Sequence, residues 1–240
     1  MAVSTNQVIE HAIGPTGDLV LKLVEGTVTL RGVDGDTARV AISAPGYDGR
    51  IGIERNPGGL QVRIPEKFFS VGWLGFDFHG LGSRTSVELD VDVPRGATVT
   101  IDGASTRVNG DGLVGEQRVH LVSGDLRLDR AGGRITVDGV SGRVAVRAAR
   151  DVALAVRTVS GDISVTAPRI AELRVNTLSA GVDAAGALAD DGRYRVETVS
   201  GRVTIATDSP LRVEARTMTG SVTSEHSAES RMDDGRRILS

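Results

Sequence analysis

Seven copies of one short pattern occupy the second half of the chain, and they constrain its fold more than any other feature. Serine or threonine recurs at Ser105, Ser123, Ser141, Ser160, Ser179, Ser200 and Thr219, in steps of 18, 18, 19, 19, 21 and 19 residues. Three positions after each stands an aliphatic residue: Val108, Leu126, Val144, Ile163, Val182, Val203 and Val222. Four positions before each stand Ile101, Val119, Val137, Val156, Val175, Val196 and Ala215. The residue after the rung is Gly124, Gly142, Gly161, Gly201 and Gly220, with Thr106 and Ala180 as the exceptions. Self-similarity at a fixed short period marks an architecture in which each unit buries its apolar face only against its neighbours.

Within each copy the local period is two. In Ile163-Ser164-Val165-Thr166 the apolar and polar residues alternate, as a half-buried strand requires. Each copy therefore reads as a strand, a bend at Ser-Gly, a second strand and a turn, with glycine at the bend because it tolerates positive φ. About 19 residues at roughly 3.3 Å each give a contour near 60 Å, which suits a flattened or triangular coil. The expected fold is all-β: a single-stranded β-solenoid of roughly 19-residue coils with a less regular β-rich N-terminal part. One domain is expected over residues 1–240. It comprises an irregular lead-in at 12–100, regular repeats at 101–224, and the start of an incomplete further coil at 225–240, where "DDGRRIL" echoes "DDGRYRV".

The lead-in carries the same grammar faintly. "LKLVEGTVTL" at 21–30 fits the template with Glu25 in the serine column and Val28 and Leu30 in the apolar ones, while "ARVAIS", "LQVRI" and "SVELDVDVP" read as further strands.

"TVSGDISV" around Ser160 invites a reading as a nucleophile. A nucleophilic serine needs a base in reach and an oxyanion hole. The four histidines, His11, His79, His120 and His226, do not recur with the serines. Ser123, Ser141, Ser160, Ser179, Ser200 and Thr219 are accordingly read as a structural ladder, with Thr158, Thr177, Thr198 and Thr217 as a second hydroxyl column. Stacked hydroxyls are expected to hydrogen-bond along the rod.

Composition removes other classes. The chain has no cysteine, so it has no disulfide framework and no thiolate metal site. A net charge of −3 argues against a nucleic-acid binder. No metal or cofactor motif is expected: Asn109/Asp111 and Asp34/Asp36 lack a calcium-loop ligand series, and no phosphate-binding glycine loop occurs. Glu88, Asp90 and Asp92 alternate with Val87, Leu89, Val91 and Val93, the pattern of a solvated strand face. Arg157, Arg174, Arg195, Arg212 and Arg216 read as outward partners of acidic residues. No signal peptide or membrane-spanning run is evident, so a cytoplasmic location, or membrane association through a partner, is expected.

One segment stands apart. Phe68, Phe69, Trp73, Phe76 and Phe78 include every Phe and the only Trp, all within the insert at 66–84. Two readings compete: a cap over one end of the rod, or an exposed loop that meets a protein partner or a membrane surface.

The repeated "TVSGDISV", "TVSGRVTI" and "LVSGDLRL", preceded by "VELDVDVPRGATVTIDGAS", resemble the bacterial DUF4097 family, also called "putative adhesin" or toast-rack, over residues 15–225. The resemblance implies a β-solenoid-like fold and no established catalytic activity, and no cofactor is expected. It also implies association with envelope-stress systems, often beside small membrane proteins. The chain departs from that pattern at Thr106, at Ala180 and in the aromatic insert. The functional expectation is a non-catalytic interaction or scaffold module of a bacterial envelope-associated system, with a protein partner. The alternatives are a self-assembling bactofilin-like β-helix, forming homo-oligomers through open coil ends, and a carbohydrate-active β-helix enzyme.

Overall fold

The computed structural model describes residues 4–45, 47, 50–64, 69–71, 76–78, 87–208, 214–224, 230–233 and 236–239; side chains are described for 6–45, 47, 50–64 and 87–208. The strands are β1 (Ser4–Ala12), β2 (Asp18–Val33), β3 (Thr37–Pro45), β4 (Gly52–Asn56), β5 (Gly59–Ile64), β6 (Phe69–Val71), β7 (Phe76–Phe78) and β8 (Val87–Pro94). They continue as β9 (Thr98–Asp111), β10 (Gln117–Ser123), β11 (Leu126–Ser141), β12 (Val144–Ser160), β13 (Ile163–Ser179), β14 (Val182–Ala206), β15 (Glu214–Ser224), β16 (Ser230–Asp233) and β17 (Arg236–Leu239). No helix occurs among the described residues.

From β9 to β15 the strands stack in parallel, each on the previous turn of the chain. The long strands bend once, so each contributes two arms. In β12 the first arm buries Val144 and Val146, and the second buries Val152, Leu154 and Val156. Leu121 and Val137 from second arms and Leu126 and Val144 from first arms line one small cavity beside Gly139 and Thr158. Aliphatic residues of both arms belong to one buried cluster. Five buried aliphatics contribute on the order of 8–15 kcal/mol per coil before chain entropy is subtracted. Large and small residues alternate along the inward column Leu23, Gly103, Leu121, Gly139, so that each leucine fills the space its glycine neighbours leave.

The less regular N-terminal part has a definite plan. Asp18–Leu23 of β2 pairs with β5, and Gly26–Val33 pairs with β8. Glu25 sits in register with Ser105, so β2 is a full coil of the stack. Beyond it the coil gives way to two antiparallel extensions. One arm ends through β8, β3 and β1, the other through β5 and β4. "ARVAIS", "LQVRI" and "SVELDVDVP" become β3, β5 and β8.

The far end departs from expectation. Residues 225–240, read as the start of a further coil, carry β16 and β17, which pair with each other antiparallel as a separate two-stranded sheet. In the sequence, Asp234-Gly235 between them is a dipeptide that favours hairpins.

Candidate functional site

The Ser–Gly bend was the candidate site with the strongest sequence signal. Strand register aligns Ser105, Ser123, Ser141, Ser160, Ser179, Ser200 and Thr219 in one column, each beside the next. Among the described residues the hydroxyls that bond reach backbone carbonyls rather than one another: Ser123 Oγ donates to Ala104 O at 3.2 Å and Ser200 Oγ to Leu178 O at 3.5 Å, and in the second column Thr177 Oγ1 donates to Val159 O at 3.4 Å. Thr158 Oγ1 lies 3.3 Å from Val140 O and 3.1 Å from Ser160 O. The bend breaks the backbone ladder, and the side-chain donors serve the carbonyls left there.

Glycine follows the rung for a second reason. Gly124, Gly142, Gly161 and Gly201 have φ of 128°, 133°, 116° and 142°. A Cβ at Gly142 would fall on the carbonyl oxygen of Gly124, and one at Gly161 on that of Gly142. Thr106 occupies the same column with its side chain turned inward, and its Oγ1 is buried without a hydrogen-bond partner.

No described base approaches a rung. His120 lies three residues before Ser123, and strand alternation directs the two to opposite faces of the second arm. Among the described residues no group of three or more His, Asp or Glu is placed to hold a metal ion.

Two charge ladders run along the rod that the sequence reading missed. Lys22, Asp102, His120, Asp138, Arg157, Asn176, Glu197 and Arg216 are successive register partners. Lys22 Nζ is 3.0 Å from Asp102, and His120 lies 3.5 Å from Asp102 and 3.9 Å from Asp138. Arg157 is 3.6 Å from Asp138, and Asn176 Nδ2 donates to Glu197 at 3.5 Å. These residues stand three places before each rung. A search for a column of one sign passes over them, because acidic, basic and neutral residues are mixed along it. Stacked strands put neighbours about 4.8 Å apart, where like charges repel, so a mixed column is the arrangement a parallel stack tolerates.

The second ladder crosses into the antiparallel extension: Glu10, Arg39, Asp92, Arg31 and Asp111. Arg39 lies 3.5 Å from Glu10 and 3.7 Å from Asp92, and Arg31 Nε donates to Asp92 at 2.7 Å. Asp92 is thus ion-paired on both sides, which corrects its reading as part of a purely solvated face; Glu88 and Asp90 are exposed as expected. The hydrogen bond from Arg130 holds the Asp111 carboxyl below the usual carboxylate range. Of the arginines expected to pair outward, Arg174 meets Glu172 at 2.8 Å and Arg195 meets Glu197 at 2.7 Å. Arg212 and the side chain of Arg216 lie outside the described residues. Each exposed pair contributes about 0–1 kcal/mol.

Phe68 and Trp73 also lie outside the described residues. Phe69, Phe76 and Phe78 fall on the backbone of β6 and β7. These strands pair only with each other, in a sheet separate from the 13-stranded one, with Phe69 opposite Phe78, Ser70 opposite Asp77 and Val71 opposite Phe76. No helix among the described residues is long and apolar enough to cross a membrane.

No family model and no curated protein matches the chain. Among solved structures it is similar to a "putative cell adhesion protein" of Clostridium sporogenes, at 12% identity over 85% of this chain and 100% of that one, with a TM-score of 0.47. A "putative adhesin" of Bacteroides fragilis is 10% identical over 92% of this chain and 93% of that one, with a TM-score of 0.44. A "putative lipid binding protein" of Parabacteroides distasonis is 11% identical over 92% and 97%, with a TM-score of 0.34. With TM-scores no higher than 0.47, the fold assignment rests on the register of this chain itself.

Proposed function

We propose that the chain is a non-catalytic interaction module of a bacterial envelope-associated system, in which a rigid rod carries the 68–78 segment as the contact for a protein partner. The observation that supports this reading is the register of the aromatic hairpin. Phe69, Val71, Phe76 and Phe78 share one alternation class, Ser70 and Asp77 the other, and neither strand joins the main sheet. A two-stranded hairpin is too small to bury such a row within itself, and aromatic residues are enriched at interface centres. Several hydroxyls and charges of the rod, among them Ser123, Thr177, Asp138 and Arg157, join one coil to the next, which supports a structural role for the rod itself.

The test is photo-crosslinking from position 76 in a bacterial envelope fraction. The expected result is an adduct of one discrete mass. Unlabelled wild-type chain competes it away, and a Phe69→Ser/Phe76→Ser variant does not. Equal competition by the variant would overturn the reading, as would binding to phosphatidylglycerol vesicles with no protein adduct.

A further inference from the structure

The two antiparallel extensions leave two strand edges at the N-terminal end of the rod, and they are built differently. β4 is five residues long and carries Glu54, Arg55 and Asn56, a short polar edge of the kind that resists pairing. β1 has nine residues, no proline and an unbroken antiparallel register with β3. Among the described residues nothing pairs with its other edge. Its one charged side chain, Glu10, is paired with Arg39 at 3.5 Å. His11 Nε2 lies 2.9 Å from Asn56 O, which ties β1 to the β4–β5 turn and fixes the edge in place. At the centre of β1, Val8 is 55% exposed, the most exposed large aliphatic side chain among the described residues.

We propose that β1 is a self-pairing edge. Two copies of the chain join β1 to β1 about a twofold axis, antiparallel, with Val8 opposite Val8. Of the twofold antiparallel registers of β1, only this one sets the exposed Val8 against itself. Val8 meets its symmetry mate, Glu10 meets the partner's Asn6, and Gln7 meets the partner's Ile9. Sliding one strand by four residues stacks Glu10 on Glu10, a like-charge pair that destabilises. Sliding it by two residues pairs Ile9 with itself, but Ile9 is already 1% exposed and gains nothing, while Val8 would face Glu10. In the proposed register the small outward patch of Val8 and Ala41, cross-strand neighbours in the monomer, doubles across the axis. The result extends one arm continuously through two molecules and covers the longer of the two described edges at this end of the rod. The surface is separate from the aromatic hairpin, so it does not depend on the function proposed above. An interface of this size belongs to the small, weak class.

The absence of cysteine makes the test direct. A full-length Val8→Cys chain is expected to form a disulfide-linked dimer under mild oxidation, because directly opposed residues on paired strands have the Cα separation a disulfide needs. Glu10→Cys alone should not crosslink. A mixture of Asn6→Cys and Glu10→Cys chains should give the mixed dimer. Sedimentation of the cysteine-free wild type should show a concentration-dependent dimer, and Val8→Lys should weaken it about tenfold or more while leaving the melting temperature unchanged, since Val8 is exposed in the monomer. A wild type that stays monomeric at every concentration overturns the proposal. So do assemblies larger than a dimer, or crosslinking of Glu10→Cys as readily as Val8→Cys.

Discussion

The two bends of each coil solve the same problem in opposite ways. At the Ser–Gly bend one solution is repeated. Serine stands beside serine from β9 to β14, and four of the following glycines share one left-handed backbone conformation. At the other bend every coil improvises. β11 uses Arg130 at φ 50° and Gly133 at φ 76°, and β12 passes through exposed Ala149, Arg150 and Asp151. β13 carries Pro168, and β14 takes a longer path from Gly186 to Arg193, with register shifts between neighbours throughout. The difference teaches what a stacked coil requires. The spacing between coils has to be enforced at one bend, where backbone meets backbone, and the other bend is then free to vary in length.

The sharpest way to break this comparison is Gly142→Ala. The substitution places a Cβ on Gly124 O and forces alanine to φ 133°. A loss of about 3 kcal/mol in urea unfolding is expected. Gly35→Ala is the control, because Gly35 has φ 130° with nothing within 4 Å of an added Cβ, so only the backbone strain remains, about 1 kcal/mol. Equal losses at the two sites would show that close stacking plays no part at the strict bend.

The variable bend has an anchor of its own. Tyr194 Oη lies 2.7 Å from Ile170 O and 3.1 Å from Ala189 O, and it holds the 186–193 excursion against the previous coil. Tyr194→Phe leaves those carbonyls without the donor, and a loss of about 1.5 kcal/mol is expected. Burial raises the Tyr194 phenol above its usual value. With the folded value above the unfolded one, the tyrosine's contribution is complete below the unfolded value. It disappears as pH rises through the folded one. The margin of wild type over the variant should therefore shrink above about pH 10, read from urea midpoints across alkaline buffers.

How much of this was legible in the sequence follows from the same contrast. The strict bend was readable because its constraints recur: the Ser123–Ser200 column, the glycines and the flanking aliphatics repeat at nearly constant spacing. Glu25 could be placed in the serine column, and register puts it beside Ser105. The variable bend was not readable, because Arg130, Pro168 and Tyr194 each act once. The charge ladders were missed for a subtler reason. Lys22, Asp102, His120 and Asp138 occupy one repeat position, but the chemistry there lies between coils, so no single residue type or sign fills the column. The antiparallel pairing of β16 with β17 was hidden because the sequence echo of an earlier coil drew the reading away from the local Asp-Gly signal. Of the aromatic insert the sequence showed the anomaly, and the register of β6 and β7 adds which residues face each other.

A third substitution separates the two hydroxyl columns. Thr177 is 3% exposed and its Oγ1 reaches Val159 O, so Thr177→Val should cost about 1 kcal/mol. The rung Ser160 is half-buried, and its neighbour Thr158 is the residue whose hydroxyl reaches the bend carbonyls. Ser160→Ala should cost less than Thr177→Val, a few tenths of a kcal/mol, a surface-like effect. If the order is reversed in paired thermal melts, the serines rather than the threonines hold the bend.

The smallest effect should come from the most drastic edit. Inserting Gly-Ser between Ala149 and Arg150 lengthens an exposed turn that no regular pairing crosses, since the register of β12 with β13 is already interrupted between Arg147 and Val152. Loop-closure entropy grows slowly with length, so the cost should be about 0.5 kcal/mol or less. The same insertion between Ser160 and Gly161 shifts the glycine off Gly142 O and displaces Ile163 and Val165 by two places from Val144 and Val146, their register partners, so that Gly161 falls where Ile163 was. It should unfold the coils on at least one side of the cut. Circular dichroism and urea titration of the two insertions therefore give the comparison its cleanest form. If both are tolerated, the spacing is not set at the Ser–Gly bend, and if neither is, the second bend is as strict as the first.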